Sequence, residues 1–263
     1  MLEHLFPNQL QLGLSQALIA ALAATAMILL ARKRGIHLES EVVTAMVRGL
    51  VQISAVGAVL VLLLRGPRWT GAFLLGGMIL AAGHTSARRA KGVPGAFPVS
   101  AWAIAFGAGT IIAVMTGFGV IGTAITSLVP VGSMLIANAM NTNGLALNRL
   151  RSDVLAHAGE IETALALGAD VNRSIAPYVE SSLEASLIPA IDSLRSLGIV
   201  WIPGLMAGML LSGARPAYAA IYQFVVLAMI LTASGLTAIV STILIRPRIF
   251  TGAQQLLLQP GRE

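Results

Sequence analysis

Residues 217–245 read AYAAIYQFVVLAMILTASGLTAIVSTILI, and no charged residue occurs between Arg215 and Arg246. A helix that crosses the hydrocarbon core of a bilayer needs roughly 20 mostly apolar residues, and this stretch exceeds that length. The rest of the chain has the same character, because 56% of its 263 residues are hydrophobic and 11% are charged. Since a soluble domain carries about 25% charged residues, the sequence predicts an all-α, polytopic integral membrane helix bundle.

Six further segments before this stretch are apolar enough to be membrane spans. They lie at about 10–31, 42–64, 69–87, 99–116, 120–140 and 197–214. Residues 99–140 are too long for one span, and Gly117-Phe118-Gly119 is the natural break between two. The segment 197–214 is predicted to be interrupted at Pro203-Gly204, where a missing backbone donor can expose carbonyls to a cavity. We therefore predict one membrane domain over 1–263 with seven spans.

The positions of the basic residues predict how these spans are oriented, because cytoplasmic loops of membrane proteins carry an excess of Lys and Arg. If the N-terminus is outside, most of the 17 basic residues fall in inner segments, for example Arg32-Lys33-Arg34. The outer segments hold Arg65, Arg68 and Arg215, and Arg48 lies within a span. We therefore predict the N-terminus outside and the C-terminus inside.

Several classes of function are excluded or disfavoured by the composition. The chain has no cysteine, which excludes disulfides, thiolate metal sites and cysteine nucleophiles. Its histidines, His4, His37, His84 and His157, form neither of the spacings typical of zinc enzymes. No G-x-x-x-x-G-K-[ST] string occurs, so any ATP would be bound by another chain. The net charge of +6 lies in clusters between apolar runs. Membrane topology explains these clusters, so we expect this chain to contact lipid and not nucleic acid. We also expect no enzyme activity and no cofactor bound by this chain.

Residues 141–196 form the one sizeable extramembrane segment under this topology, and it is predicted to be cytoplasmic. It carries most of the 11 acidic residues of the chain. We predict a helix over 150–167 that ends at Gly168 in a left-handed conformation. A second helix is predicted near 174–187, capped by Ser174 and carrying a narrow apolar stripe. Two short amphipathic helices suit the membrane surface or a docked partner, with a solvated connector as the alternative.

The stretch Glu162-Thr163-Ala164-Leu165-Ala166-Leu167-Gly168 has the spacing E-x-A-x-x-x-G. It resembles the cytoplasmic coupling motif of ABC-transporter permeases, in which a short helix and a turn fit a groove on the ATPase subunit. The resemblance implies that Glu160, Glu162, Ala164 and Gly168 couple the chain to such a partner. In that motif an I-x-L-P string follows closely, whereas here Ile188-Pro189 lies twenty residues past the glycine.

Longer blocks resemble one permease family along nearly the whole chain. They include Arg48-Gly49-Leu50-Val51-Gln52, Pro130-Val131-Gly132-Ser133-Met134 and Ile188-Pro189-Ala190-Ile191-Asp192 followed by Gly198-Ile199-Val200-Trp201-Ile202-Pro203-Gly204. The chain is similar to the FetB (YbbM-like) iron-export ABC-transporter permeases, a group that includes plant aluminium-tolerance permeases. The family tends to have Gly where Ser133 and Ala137 stand, and Met where Leu205 stands.

This resemblance implies a multi-pass permease subunit in the bacterial inner membrane. It implies a homodimer of permeases that exports a metal ion, with iron as the expected cargo. Two partner ATPase subunits would bind ATP and Mg²⁺. The spans themselves do not encode direction, so uptake, or a different solute, is the second hypothesis. A third is a membrane scaffold that binds a soluble partner through 141–196 without transporting anything.

Polar side chains within the predicted spans are the candidates for the cargo path, since such groups are costly in lipid and usually face a bundle interior or water. Arg48 and Gln52 lie one turn apart on the second span. Asn141 on the fifth span and Gln223 on the seventh complete the predicted path. The alternatives are that Arg48 snorkels to lipid headgroups and that the amides join helices.

The predicted metal contacts are Met134, Asn138 and Met206. Met134, Asn138 and Asn141 are spaced i, i+4, i+7 and therefore share one face of the fifth span. A thioether and an amide oxygen are possible ligands for a borderline ion such as Fe(II). Helix packing by Met and helix joining by Asn are the alternatives.

Overall fold

The computed structural model describes residues 9–37, 39–63, 66–67, 69–90 and 93–258. Within these ranges the chain is almost wholly helical, and its only β-type pairings are two isolated bridges, Leu197 with Trp201 and Phe250 with Leu256. The predicted all-α class of a polytopic helical membrane protein is confirmed. His4, Arg65 and Arg68 lie outside the described residues. The chain divides into two compact units, one up to Gly66 and one from Pro67 onward.

The first unit is a helical hairpin of α1 (Gln9–Lys33) and α2 (Glu39–Leu63), close to the predicted spans at 10–31 and 42–64. Arg32 Nε lies 3.5 Å from Glu39 Oε1, which joins the two helix ends across the connection. Most of the described apolar side chains of both helices are exposed. Such surfaces are stable when lipid or another apolar protein surface covers them.

The second unit begins with α3 (Trp69–Ala87), α4 (Ala96–Ile104) and α5 (Thr110–Gly117), where α4 and α5 are joined by a π-helical turn over Ala105–Gly109. It continues through α6 (Ile125–Ala156), α7 (Ala158–Ala166), α8 (Val171–Arg195), α9 (Gly204–Leu211) and α10 (Pro216–Ile249). The predicted break at Gly117-Phe118-Gly119 is confirmed, because the helix ends at Gly117 and Gly119 has φ 74°.

Four helical stretches of the described chain are long and apolar enough to cross a membrane. They are Gln11–Lys33, Glu39–Val59, Ala96–Gly117 and Pro216–Ile249. These stretches agree with the first, second, fourth and seventh predicted spans. The total of seven spans and the outside position of the N-terminus stay predictions.

The segment 197–214 differs most from its prediction. It is not one spanning helix, because α9 has 8 residues and is therefore about 12 Å long at 1.5 Å per residue, against roughly 30 Å of hydrocarbon. Pro203 is extended (φ −66°, ψ 141°) and immediately precedes α9, so Pro203-Gly204 marks the start of a helix and does not interrupt one. The chain before it is held by turn hydrogen bonds such as Gly198 N–H to the Trp201 carbonyl at 3.0 Å.

The helices predicted between 150 and 187 have different bounds in the structure. The predicted helix over 150–167 is divided at His157, whose backbone (φ −113°, ψ 24°) leaves the helical region and separates α6 from α7. The helix predicted near 174–187 is part of the longer α8. Its cap is Asp170, which accepts a hydrogen bond from Asn172 N–H at 3.0 Å. The prediction of Ser174 as the cap is therefore wrong, because the Ser174 hydroxyl donates back to the Asp170 carbonyl inside the first turn.

The core of the second unit consists of two apolar clusters. The distal cluster contains Leu135 and Ile136 of α6 and Val226, Met229 and Ile230 of α10, among others. The proximal cluster lies beside α7 and includes Ile161, Ile175, Val179, Ile245 and Ile249. Leu194, near the end of α8, packs against the distal cluster, while Ile175 near its start lies in the proximal one. Because α10 passes through the two clusters in the reverse order, α8 and α10 are antiparallel.

Two glycines allow helices of the second unit to approach closely. A Cβ added at Gly83 would lie 2.8 Å from Ala101 Cα, and one added at Gly107 would lie 2.7 Å from Thr237 N. Helix pairs in membranes associate closely through small residues of this kind. Gly107 lies in the π-helical turn, so that turn is in direct backbone contact with α10.

Candidate coupling face and transport path

The motif glycine ends α7 as the sequence predicts. Gly168 has φ 86°, its N–H bonds to the Leu165 carbonyl at 2.9 Å, and Ala169 N–H bonds to the Ala164 carbonyl at 3.0 Å. These two hydrogen bonds form a Schellman motif, in which a left-handed residue closes the helix. The left-handed conformation expected at Gly168 is confirmed, and Ala164 contributes a backbone carbonyl to it.

α7 has one fixed side and one exposed side. Ile161 is buried in the proximal cluster and Leu165 packs against that cluster. Leu167, at the end of the helix, has 84% of its surface exposed. α7 is thus a short helix held by two apolar side chains and followed by an exposed leucine.

Glu160 bonds to α8. The Tyr178 hydroxyl donates a hydrogen bond to Glu160 Oε2 at 3.2 Å, although the pair is exposed. The Tyr178 ring stacks on the His157 ring with centroids 4.8 Å apart and planes at 26°. Tyr178 therefore joins α8 both to the α6–α7 junction and to the first turn of α7.

Asp153 makes a second connection between α6 and α8. Its Oδ2 lies 3.1 Å from Arg149 Nε and accepts a hydrogen bond of 3.4 Å from Ser181 Oγ. Sequence reasoning missed Tyr178, Ser181 and Asp153 as members of this site. No sequence spacing signals such contacts, since the residues belong to different helices.

Glu162 lies in different surroundings from Glu160. It lines a groove of about 620 Å³ together with Leu165 and Ala166 of α7. The opposite wall consists of residues after α10, namely Thr251, Ala253, Gln254, Gln255, Leu256 and Leu257. Within the described ranges Glu162 takes part in no ion pair. The structure thus separates the two motif glutamates, one bonded inside the chain and one facing a groove.

In the first unit, Arg48 and Gln52 line one shallow surface depression of about 540 Å³ on α2. Ser40, Glu41 and Thr44 lie in the same depression, so this side of α2 carries several polar groups. A polar stripe on an otherwise apolar helix is typical of a surface that faces water or another polar group in a membrane.

On α6, Met134 and Asn138 are neighbours, because Asn138 Nδ2 donates to the Met134 carbonyl at 2.9 Å. This bond uses the amide nitrogen and leaves the side-chain oxygen of Asn138 as an acceptor. Met134 is half-buried and packs against the distal cluster, whereas Asn141 is exposed. Met206 lies on α9 and is half-buried.

Gln223 on α10 is fully buried, and neither atom of its amide group forms a hydrogen bond to a described residue. Buried amides almost always have a hydrogen-bond partner, so an unpaired one calls for an explanation. The described part of the chain contains no group of three or more His, Asp or Glu residues that could hold a metal ion. A metal contact formed by Met134, Asn138 and Met206 would therefore rest on neutral ligands.

Comparison with known proteins gives a family and several relatives. The model of the family described as Uncharacterised protein family (UPF0014) matches residues 14–250. The UPF0014 membrane protein STAR2 of Oryza sativa subsp. japonica is 36% identical over 242 residues, which cover 90% of this chain and 84% of the relative. Protein ALUMINUM SENSITIVE 3 of Arabidopsis thaliana is 32% identical over 242 residues, or 91% of this chain and 87% of the relative.

One bacterial relative is named as a transport protein. The Probable iron export permease protein FetB of Escherichia coli (strain K12) is 30% identical over 241 residues. The match covers 91% of this chain and 93% of the relative. No solved structure matches the chain.

Proposed function

The chain belongs to the UPF0014 family of membrane proteins, and from that premise we propose that it is the permease subunit of an ABC transporter. In this proposal it exports a metal ion, with iron as the first candidate, across the bacterial inner membrane. The observation that carries the proposal is α7, a short helix anchored by Ile161, closed by Gly168 and directing Glu162 into a groove. Iron is the first candidate because the relative FetB of Escherichia coli is named as a probable iron export permease.

The driving reaction belongs to a separate ATPase subunit, which would bind ATP and Mg²⁺. When the ATPase dimer closes on ATP, it displaces α7. The contacts of Tyr178 with Glu160 and His157 pass that displacement to α8. α8 runs antiparallel to α10, and α10 is long and apolar enough to cross the membrane. α8 therefore carries the motion along α10.

We infer that α8 is the sixth crossing, in place of 197–214. By length alone α8, with 25 residues, is sufficient to cross, although it is less apolar than the four stretches named above; α9 has 8 residues and forms part of a connection on one side. Replacing 197–214 by α8 leaves the number of crossings at seven. Because that number is odd, the N-terminus stays outside and the C-terminus inside. Glu180 and Glu184 lie one turn apart on the exposed side of α8. Carboxylates in a crossing helix favour a water-filled path for cations over contact with lipid.

Each unit has its own candidate residues for contact with the cargo. Arg48 and Gln52 provide the polar stripe of α2, and Asn141 and Gln223 provide amides from the second unit. Met134, Asn138 and Met206 are the proposed metal contacts. Seven spans are few for a complete pore, so the working assembly is a homodimer of permeases with two ATPase subunits.

The test is ATP turnover in proteoliposomes that contain the permease and its cognate ATPase. Fe(II) is expected to raise turnover above the basal rate. Glu162→Lys is expected to abolish both association with the ATPase and stimulation, while membrane insertion is unchanged. A flat response to iron would remove iron as the cargo, and unchanged stimulation in Glu162→Lys would remove the coupling role of α7.

The same assay separates the alternative functions. The Arabidopsis relative is named for aluminium sensitivity, which makes Al³⁺ the second ion to assay. If the ion accumulates on the side of the vesicle membrane that carries the ATPase, the direction of transport is uptake and not export. In the scaffold alternative, 141–196 is wholly cytoplasmic, and the chain binds a soluble partner through it but transports none of the ions or organic solutes.

A further inference from the structure

Residues 250–258, here called the C-terminal turn, follow α10 directly and belong to no motif in the sequence. Phe250 pairs with Leu256 in an antiparallel bridge. Thr251 N–H donates to the Gln255 carbonyl at 2.8 Å, and Leu257 N–H donates to the Ile249 carbonyl at 2.8 Å. These hydrogen bonds fold the segment back on the end of α10.

Apolar side chains hold the C-terminal turn against α7. Phe250, Leu256 and Leu258 are buried in the proximal cluster, where Ile161 of α7 is also buried. Burial of several large apolar side chains fixes a segment firmly, because each would be exposed to water if the segment detached. The turn and α7 are therefore packed in the same apolar cluster.

The tip of the turn has an unusual backbone. Gln254 has φ 59°, and it is the sole non-glycine residue with positive φ among the residues that the structure describes. A side chain in this conformation is strained and persists where the surrounding contacts determine it. Here the strain lets residues 253–255 form the groove wall that faces Glu162.

We propose that the C-terminal turn is the second half of the ATPase docking surface. In this proposal, which rests on the proposed function, the groove between α7 and the turn receives a Lys or Arg side chain of the ATPase subunit. Charge is the reason for that choice. Among the described residues that line the groove, Glu162 supplies the one charged group, and the other polar side chains are those of Thr251, Gln254 and Gln255. A cation is the complementary occupant, and hydroxyl and amide oxygens can accept its remaining hydrogen bonds.

The position of the groove favours a soluble cytoplasmic partner over other occupants. Arg246 and Arg248, in the last turn of α10, immediately precede the C-terminal turn. Basic residues at the end of a crossing helix indicate the cytoplasmic side. An anionic lipid headgroup or a free nucleotide would meet the carboxylate of Glu162 and be repelled. Leu257, 42% exposed at the groove, adds an apolar contact for a protein partner.

The first experiment blocks the groove in the full-length permease. Ala253 is exposed and lines the groove, so Ala253→Trp fills it without disturbing the core. Co-purification of the cognate ATPase with Ala253→Trp is expected to fall at least tenfold. The matched control is Ala217→Trp, which adds the same bulk at an exposed site at the opposite end of α10 and is expected to bind like wild type. Equal thermal unfolding midpoints in detergent show that both variants are folded.

The second experiment tests whether the charge of the groove determines binding of the ATPase. Gln255→Lys places a cation beside Glu162 and is expected to weaken binding of the ATPase about tenfold, whereas Gln255→Glu is expected to preserve or strengthen binding. Equal effects of the two substitutions would overturn the charge argument. Wild-type binding by Ala253→Trp, together with loss of binding by Glu162→Lys, would confine docking to α7 and overturn this inference while the proposed function stands. A wild-type permease that does not bind the ATPase would overturn both. Loss of binding to phosphatidylserine vesicles by Ala253→Trp, with ATPase binding intact, would make lipid the occupant and also overturn the inference.

Discussion

Tyr178 Oη lies 3.2 Å from Glu160 Oε2, and this hydrogen bond joins α8 to α7 across 18 residues of sequence. It assigns different surroundings to two glutamates that stand two positions apart in one motif. Glu160 is bonded within the chain, while Glu162 faces the groove beside the C-terminal turn. In the proposed transporter, Glu162 therefore receives the ATPase and Glu160 passes its motion to α8.

Tyr178→Phe removes the hydroxyl that bonds Glu160 but keeps the ring that stacks on His157. We expect the ATPase to remain bound, while the stimulation of ATP turnover by the cargo falls several-fold. The fall is expected because the substitution removes a hydrogen bond to a charged group. Such bonds contribute about 1.5–3 kcal/mol, and less when they are exposed. The measurement is ATP turnover with and without Fe(II) in proteoliposomes. Tyr218→Phe, on an exposed tyrosine at the start of α10, is the control and should behave like wild type. Full stimulation in Tyr178→Phe would contradict the role of this contact.

Gly107→Ala should destabilise the second unit. The added Cβ would collide with Thr237 Oγ1, and it would lie 2.7 Å from Thr237 N and 2.8 Å from the Ala233 carbonyl, so the π-helical turn and α10 would have to separate. Overpacking of this kind costs about 1–3 kcal/mol. The thermal unfolding midpoint in detergent should fall. Gly235→Ala on α10 is the control, since a Cβ there has no atom within 4 Å; equal midpoints for the two variants would refute the packing argument.

Ser86→Ala should also lower the unfolding midpoint. Ser86 Oγ accepts a 2.7 Å hydrogen bond from Asn143 Nδ2, and both residues are buried. Its loss leaves a buried amide donor without that partner, at a cost of about 1–3 kcal/mol. Ser54→Ala is the control, because the exposed Ser54 hydroxyl bonds only to the Leu50 carbonyl one turn earlier. An unchanged midpoint in Ser86→Ala would show that another group satisfies Asn143.

Met134→Ala combined with Asn138→Ala should reduce the stimulation of ATP turnover by Fe(II). The thioether and the amide oxygen are possible ligands for a borderline ion, and the Asn138–Met134 hydrogen bond leaves that oxygen available. Met115→Ala controls for the loss of a methionine packed against the same distal cluster. Comparable losses in the Met115 variant and the double variant would indicate a packing effect, and the metal contact would then be wrong.

The helices whose bounds the sequence predicts best are those whose apolar character is continuous. α1, α2, α3 and α10 lie within a few residues of their predicted bounds. The break at Gly117-Phe118-Gly119 and the left-handed Gly168 were also predictable, because the conformational freedom of glycine is a local property.

The candidate site was predicted in part. The sequence predicted a coupling role for the stretch that forms α7, but it did not predict Tyr178 or the C-terminal turn, which lie beside α7 only after folding. It also placed a spanning helix at 197–214, since that segment is more apolar than α8. Hydropathy measures side chains, whereas the helix bounds here depend on the turn before Pro203 and on the packing of α8 against α6 and α10.

The sequence by itself determined that this is a helical membrane protein and where its most apolar helices lie, because burial in lipid depends on composition along a single segment. Only the tertiary structure decided that Glu160 and Glu162 have different surroundings, that α8 runs beside α10, and that residues 250–258 form a wall next to α7. Those facts depend on contacts between residues far apart in the chain. Such contacts are selected by the packing of whole helices and leave no periodic signal in any one of them.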